Sequence, residues 1–314
     1  MSRARELADS YTDNEVDSKP TGFKNYIING AFDVWQRGTT GTTGYIADRF
    51  ANASGVTASS LVASGLSEFP NCLSITGTTG NITTVQKIEQ VNINKLNGKQ
   101  VTVSFWMRQT VGSSSGLMNV LTPTVKDNYS AITVDSYDIG IVPSTWTKYT
   151  QTFTVTQDMA DYGLGISVGV NPASNNTIQL TGMQLEEGSV ATPFENRPIG
   201  LELSLCQRYY ERLTNINTPF IMYTPNGDTR VSIPFKVQKR MVPECTISGA
   251  ISSLAVGTSG NATNMWLTIS SVGEKTVDGI YSIMVTNPSV LQHCGVIAAG
   301  QGHCELTATA NSEL

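Results

Sequence analysis

The chain has 314 residues, a formal net charge of −5 and only 14% charged residues. The acidic balance argues against a nucleic-acid partner, whose phosphates call for clustered Lys and Arg, and no run approaches the ~20 apolar residues of a membrane span. The length exceeds what one ordinary core of ~100–150 residues fills. Abundant Gly, Ser, Thr and Asn suit short strands and tight turns, so an all-β chain of two domains and an arm is expected.

Residues 1–20 form the first unit. Ala4, Leu7 and Ala8 suggest one helical turn before Asp9 and Ser10, and Thr12 to Lys19 is polar. Such a segment cannot build a core and is expected to order only against a partner. Met1 to Leu7 lacks the apolar stretch of a secretory leader, which predicts synthesis in a cytoplasm.

Residues 21–197 read as repeated strands: Asn25 to Ile28, Asp48 to Ala53, Leu73 to Thr76, Thr83 to Ile88, Gln100 to Arg108, Tyr149 to Val155, Leu164 to Val170 and Thr177 to Leu185. In the fifth, Val101, Val103, Phe105 and Met107 point one way and Thr102, Ser104, Trp106 and Arg108 the other. Leu164, Ile166, Val168 and Val170 alternate with Gly165, Ser167 and Gly169 in the same manner. Two sheets stacked on such apolar faces make a β-sandwich of jelly-roll type.

Residues 198–314 begin with Gly200 to Arg212, where Leu201, Leu205, Arg208, Tyr209 and Arg212 fit one helix face. Short strands follow at Phe220 to Tyr223, Thr229 to Phe235, Glu244 to Ser248, Met265 to Ser270, Gly279 to Thr286 and Glu305 to Ala308, predicting a smaller C-terminal β-sandwich. Lys236, Lys239 and Arg240 read as a solvated face. No solenoid period and no heptad stalk is present.

Several motifs follow one another along the chain: Asn25 to Phe32, Trp35 to Gly38, Tyr45 to Phe50, Met183 to Gly188, Ala191 to Glu195 and Cys206 to Tyr210. In this the chain resembles a family of bacteriophage and prophage tail-fibre proteins. The opening Ser2 to Asp9 is also similar to the start of structural proteins from phages of marine bacteria. The resemblance implies a jelly roll similar to carbohydrate-binding modules, carried on a virion tail, commonly threefold and attached to other tail proteins, here through the arm. It implies a protein assembled in the host cytoplasm and meeting a host cell-surface polysaccharide. The family transfers no binding residues.

Candidate chemistry follows from residue types. Sugars are held by aromatic rings over their apolar faces and by Arg, Lys and amides that satisfy hydroxyls. Trp106 and Arg108 on the outward side of one strand, with Trp146 and Lys148 in another, are the candidate ligand-binding residues if the strands are neighbours. Trp35 and Tyr45 read as framework. Catalysis finds little support. His293 and His303 each precede a cysteine that a strand would turn to the opposite face, giving no metal site, and the five cysteines are odd in number and widely spaced. Glu186 and Glu187 read as solvated turn residues and not as a glycosidase pair. Gly38 to Gly44 lacks the lysine of a phosphate loop. No cofactor is expected; Asp127, Asp135 and Asp138 are the loop acids that could chelate structural calcium. The leading expectation is a non-enzymatic receptor-binding protein, followed by a purely structural virion part, then a capsule-degrading enzyme.

Overall fold

A computed structural model describes residues 22–53, 55–171, 175–213, 229–248, 251–258, 261–273, 275–286 and 307–311. The expected arm at 1–20, the strand expected at Phe220 to Tyr223, and His293, Cys294, His303 and Cys304 lie outside these residues.

Twelve strands build the first unit: β1 Thr40–Gly41, β2 Gly44–Tyr45, β3 Ala51–Asn52, β4 Val56–Ala63, β5 Asn71–Gly77, β6 Ile82–Ile88, β7 Gln100–Val111, β8 Ser115–Val125, β9 Asn128–Ile141, β10 Thr147–Thr154, β11 Leu164–Val170 and β12 Asn176–Glu187. They form two six-stranded antiparallel sheets, ordered β1-β4-β5-β12-β7-β10 and β2-β3-β6-β11-β8-β9. From β5 onward the chain passes repeatedly from one sheet to the other, so non-consecutive strands become neighbours, and this wrapping is the jelly roll. Short helices α1 (Gln90–Ile93) and α2 (Gln157–Tyr162) close one side.

The period-two reading holds where it was strongest. Val101, Val103, Phe105 and Met107 on β7 and Leu164, Ile166, Val168 and Val170 on β11 all lie in one buried core with Leu73, Ile75, Ile178, Leu180 and Leu185. Gly165, Ser167 and Gly169 are buried as well, so β11 is covered on both faces. A bulge in β12 between Thr181 and Gln184, with Gly182 at φ +62°, keeps Met183 and Leu185 in the core and turns Gln184 outward.

Two expected strands are corrected. Asn25 to Ile28 is not a strand: apart from the Tyr26 amide its N–H groups meet side chains, with the Lys24 and Asn25 amides donating to Glu195 at 3.0 Å and the Ile27 amide to Asn25 Oδ1 at 2.9 Å. Asp48 to Ala53 shrinks to Ala51–Asn52, because the Asp48 carboxylate accepts from the Gln36 amide and pairs with Arg37 at 2.9 Å. The sequence reading also passed over β4, β8 and β9, whose small residues, Gly116 and Pro123 weaken the alternation signal.

The motifs from Asn25 to Phe50 and at Met183 to Gly188 are joined in one hydrogen-bonded framework. Asn25 holds Met183 and Leu185 of β12, and Asn29 holds the carbonyls of Val34 and Asp48 and the Val34 amide. Trp35 donates its indole N–H to the Phe32 carbonyl, as expected of a framework residue, and Arg37 stacks on Tyr45. Gly30 is demanded by space: a Cβ there would lie 2.0 Å from the Met183 carbonyl oxygen, a backbone atom that cannot swing away. Gly30→Ala is therefore expected to cost about 1–3 kcal/mol, read as a lower urea midpoint at unchanged slope.

Glu186 corrects its reading as a solvated turn residue. It is 2% exposed within β12, and its carboxylate accepts from the Gln184 amide, the Thr192 N–H and the Thr192 hydroxyl. Glu187 is exposed and pairs with Lys99 at 2.8 Å.

Beyond the sandwich, α3 spans Ile199–Gln207 and stops before Tyr210, so Arg212 lies on a strand and the expected helix face ends early. Strand β13 (Tyr210–Leu213) joins β19 (Thr307–Asn311) and β15 (Glu244–Ser248) in one sheet. Strands β14 (Thr229–Pro234), β18 (Gly279–Thr286), β17 (Asn261–Val272) and β16 (Ile251–Thr258) form another. These make the smaller all-β C-terminal part. Lys239 is not on a solvated face. Its ammonium is wholly buried and donates to the Gln207 and Val237 carbonyls at 2.7 Å and to Glu211 at 2.5 Å.

A polar joint ties this part to the sandwich. Gln36 donates to the Tyr210 carbonyl at 2.8 Å, Arg208 pairs with Glu89 at 3.1 Å, and the Arg49 guanidinium lies 3.4 Å from the Tyr209 ring centroid. Burial pushes the Tyr209 phenol up from 10.0 to about 12, against the pull of Arg49. A phenol raised in the folded state contributes stability that is complete below pH 10 and is lost as the pH rises towards 12. The loss amounts to about 2–3 kcal/mol. Urea midpoints at pH 9 and pH 11.5 should therefore separate less in Tyr209→Phe than in the wild type.

Candidate functional site

The outer face of the first sheet is built by alternation. With Leu73, Met107, Leu180 and Leu61 at one level turned to the core side, the neighbouring positions Cys72, Trp106 and Val62 turn outward, as do Ser74, Arg108, Gln179 and Ser60. Strands β7 and β10 are neighbours, with Trp106 directly opposite Lys148, while Tyr149 turns inward to stack on Phe105 with centroids 5.6 Å apart.

The four residues singled out from sequence meet on this face. The Arg108 guanidinium lies 4.8 Å from the Trp146 ring centroid, within cation–π range. Its Nε donates to Gln179 Oε1 at 2.8 Å, and its two terminal amines carry no hydrogen bond among the described residues. Lys148 is exposed, while Trp106, Arg108 and Trp146 are half-buried.

What the sequence did not announce is the loop between β4 and β5. The Trp146 indole donates to the Ser64 carbonyl at 2.9 Å, so this loop folds over the sheet. Phe69 within it is 1% exposed and makes an edge contact with Phe194 at 5.0 Å. A Cβ on Gly182 would stand 2.6 Å from Phe69 and 3.0 Å from Trp106, so the bulge glycine is what lets the loop settle beside Trp106. Gln179 was legible, since it alternates with Ile178 and Leu180; the loop was not, because nothing in Ser64 to Pro70 repeats.

The chemistry on offer is recognition. A partly roofed floor presents aromatic edges, a guanidinium fork, an ammonium and amide and hydroxyl groups from Gln179, Ser74 and Ser60, a mixture suited to polyhydroxylated ligands. Burial pushes the Cys72 thiol up to about 12 although Arg108 pulls it down, so it is a packing group and no nucleophile. Among the described residues no three His, Cys, Asp or Glu side chains gather to hold a metal. The expected calcium acids are apart in role. Asp127 accepts from the Gln90 amide at 2.9 Å, Asp138 caps its own turn through the Gly140 amide at 2.8 Å, and Asp135 sits exposed on β9.

Comparison with protein-family models finds no match, and none of the curated proteins searched matches the chain. Among solved structures, the CBM22-1 xylan-binding domain of Paenibacillus barcinonensis Xyn10C is similar over 55% of this chain and 100% of its own, at 12% identity and a TM-score of 0.39. A CBM4 domain is 21% identical over 51% of this chain and 98% of its own, with a TM-score of 0.36. The enzymatically active domain of bacteriophage CBA120 tailspike protein 4 is 16% identical over 52% of this chain and 21% of its own, with a TM-score of 0.35. Likenesses this distant carry no functional argument, and the jelly-roll assignment rests on the strand order described above.

Proposed function

We propose that this protein is a non-enzymatic glycan-binding component of a phage tail, a fibre or tip protein whose first sandwich attaches to a host cell-surface polysaccharide. The observation that carries the reading is the meeting of Trp106, Arg108, Trp146 and Lys148 on one outer face, with both Arg108 terminal amines available. The motif order shared with phage tail-fibre proteins supports the location on a virion tail. In the same reading residues 1–20 form the arm that docks on other tail proteins, 21–197 the binding domain and 198–314 the C-terminal domain. The protein works as a homotrimer, in which several weak sites act together.

The test is titration of the full chain with polysaccharide purified from host envelopes. Arg108→Ala and Trp146→Ala should each weaken binding by about tenfold, near 1.4 kcal/mol, with far-ultraviolet circular dichroism unchanged. No binding by the wild type, or equal binding by both variants, refutes the reading. A second reading, a purely structural virion part, is favoured by one observation: the Trp146 N–H is already committed to Ser64 and Trp106 lies beside Phe69. It requires that glycan binding be absent and that both variants impair particle assembly.

A further inference from the structure

A second cleft, of about 480 Å³, opens near the far end of β12, lined by Phe23, Lys24, Tyr26, Lys95, Glu187 and Thr192. It lies seven residues along β12 from Gln179, roughly 20 Å at ~3.3 Å per residue, and so is separate from the outer-face site. Its volume falls within the ~300–1,000 Å³ of small-ligand sites.

The walls are held firmly. The Tyr26 amide donates to the Leu185 carbonyl at 2.9 Å, and the Tyr26 ring packs against the core. Lys95 comes from the short 3₁₀ turn Asn94–Leu96, anchored by the buried Leu96. Phe23 is 54% exposed at the rim.

The balance of donors and acceptors identifies the ligand. The carboxylates here are already engaged: Glu186, in the floor, by Gln184 and Thr192, and Glu187 by Lys99. Neither Lys24 nor Lys95 is paired with a carboxylate among the described residues. Among the described residues the Lys24 ammonium donates to the neutral Thr192 hydroxyl at 2.5 Å and the Pro193 carbonyl at 2.6 Å, which leaves a third hydrogen. The Lys95 ammonium stands 5.4 Å from the Tyr26 ring centroid and has no carboxylate partner among the described residues. The cleft thus presents spare positive donors beside a fixed aromatic face. That pairing complements a ligand with an apolar ring face and an anionic acceptor at its edge.

We infer that this cleft is a binding site for an acidic saccharide, a sugar residue bearing a carboxylate that Lys95 and Lys24 receive while Tyr26 covers its C–H face. The site stands whether or not the outer face binds glycan.

The test is calorimetric titration of the full chain with trigalacturonate at low salt, with galactotriose as neutral control and tetraglutamate as a control for charge alone. Trigalacturonate should bind at least tenfold more tightly than either control and should weaken as salt is raised, since exposed charges are screened. Lys95→Gln should weaken it about fivefold and Lys95→Glu more than tenfold. Both substitutions fall on an exposed side chain without hydrogen bonds among the described residues, so folding is preserved. In an Arg108→Ala background Lys95→Glu should still weaken trigalacturonate more than tenfold, which separates this site from the outer face. Three results would each overturn the assignment: no trigalacturonate binding, equal binding of tetraglutamate or galactotriose, or indifference to Lys95→Glu.

Discussion

Arg197→Met should destabilise the first sandwich by about 3–5 kcal/mol, the range for removing one partner from a buried charge network. The Arg197 side chain is 3% exposed. One terminal amine donates to both Glu202 oxygens at 3.1 and 2.9 Å; the other donates to the carbonyls of Asn25 and Ile27, the latter at 2.9 Å. Its Nε reaches Glu195 at 3.4 Å, and Glu195 in turn accepts the Lys24 and Asn25 amides. Glu202 accepts the Asn29 amide as well. A methionine of similar length fills the space yet leaves two half-buried carboxylates and two carbonyls without their cation. Arg197→Lys should recover only part of the loss, because an ammonium cannot serve these partners with a planar fork. Thermal and urea unfolding of the two variants checks this, and a loss below 1 kcal/mol for methionine would show that the network is dispensable.

Lys239→Met is expected to act on the other side of the joint by a similar amount, about 3–5 kcal/mol, since Glu211 would be left buried without its cation. Glu211 is buried, and among the described residues its carboxylate otherwise accepts the Lys236 amide, at 3.1 and 3.2 Å. Burial pushes the Lys239 ammonium below its ordinary range, with the Glu211 hydrogen bond opposing the shift. Hence the pair is costly to build and still more costly to break. Lys239→Met combined with Glu211→Gln removes the orphan charge while keeping an acceptor for Lys236, so most of the lost stability should return. A double-mutant cycle measures this directly. If the double variant is as unstable as the single one, the loss comes from packing and not from charge.

Fold class was readable because its signal is physical and local. Val101 to Met107 and Leu164 to Val170 send alternate, apolar side chains into the core between the sheets, and that alternation survives in a single sequence. Where side chains take over backbone partners, the signal vanishes. Asn25 to Ile28 looks like a strand by composition, but side chains of Glu195, Asn25 and Gln86 take three of its four amides, and Glu195 lies 170 residues from Asn25. Lys239 was read as solvent-facing for the same reason, since its partner Glu211 lies 28 residues earlier. Trp106, Arg108, Trp146 and Lys148 could be placed on one face from strand parity once β7 and β10 paired. The Ser64 to Pro70 roof depends on Gly182 leaving room for Phe69, a spatial fact that no periodicity carries.

The clamp made by Glu195 and Arg197 on Lys24, Asn25 and Ile27 also fixes how the molecule bears tension. Entry and exit of the first sandwich are stitched side by side, so a pull applied between residue 22 and helix α3 loads these crosslinks before it reaches any β ladder. The β ladders would then take load only after this clamp gives way.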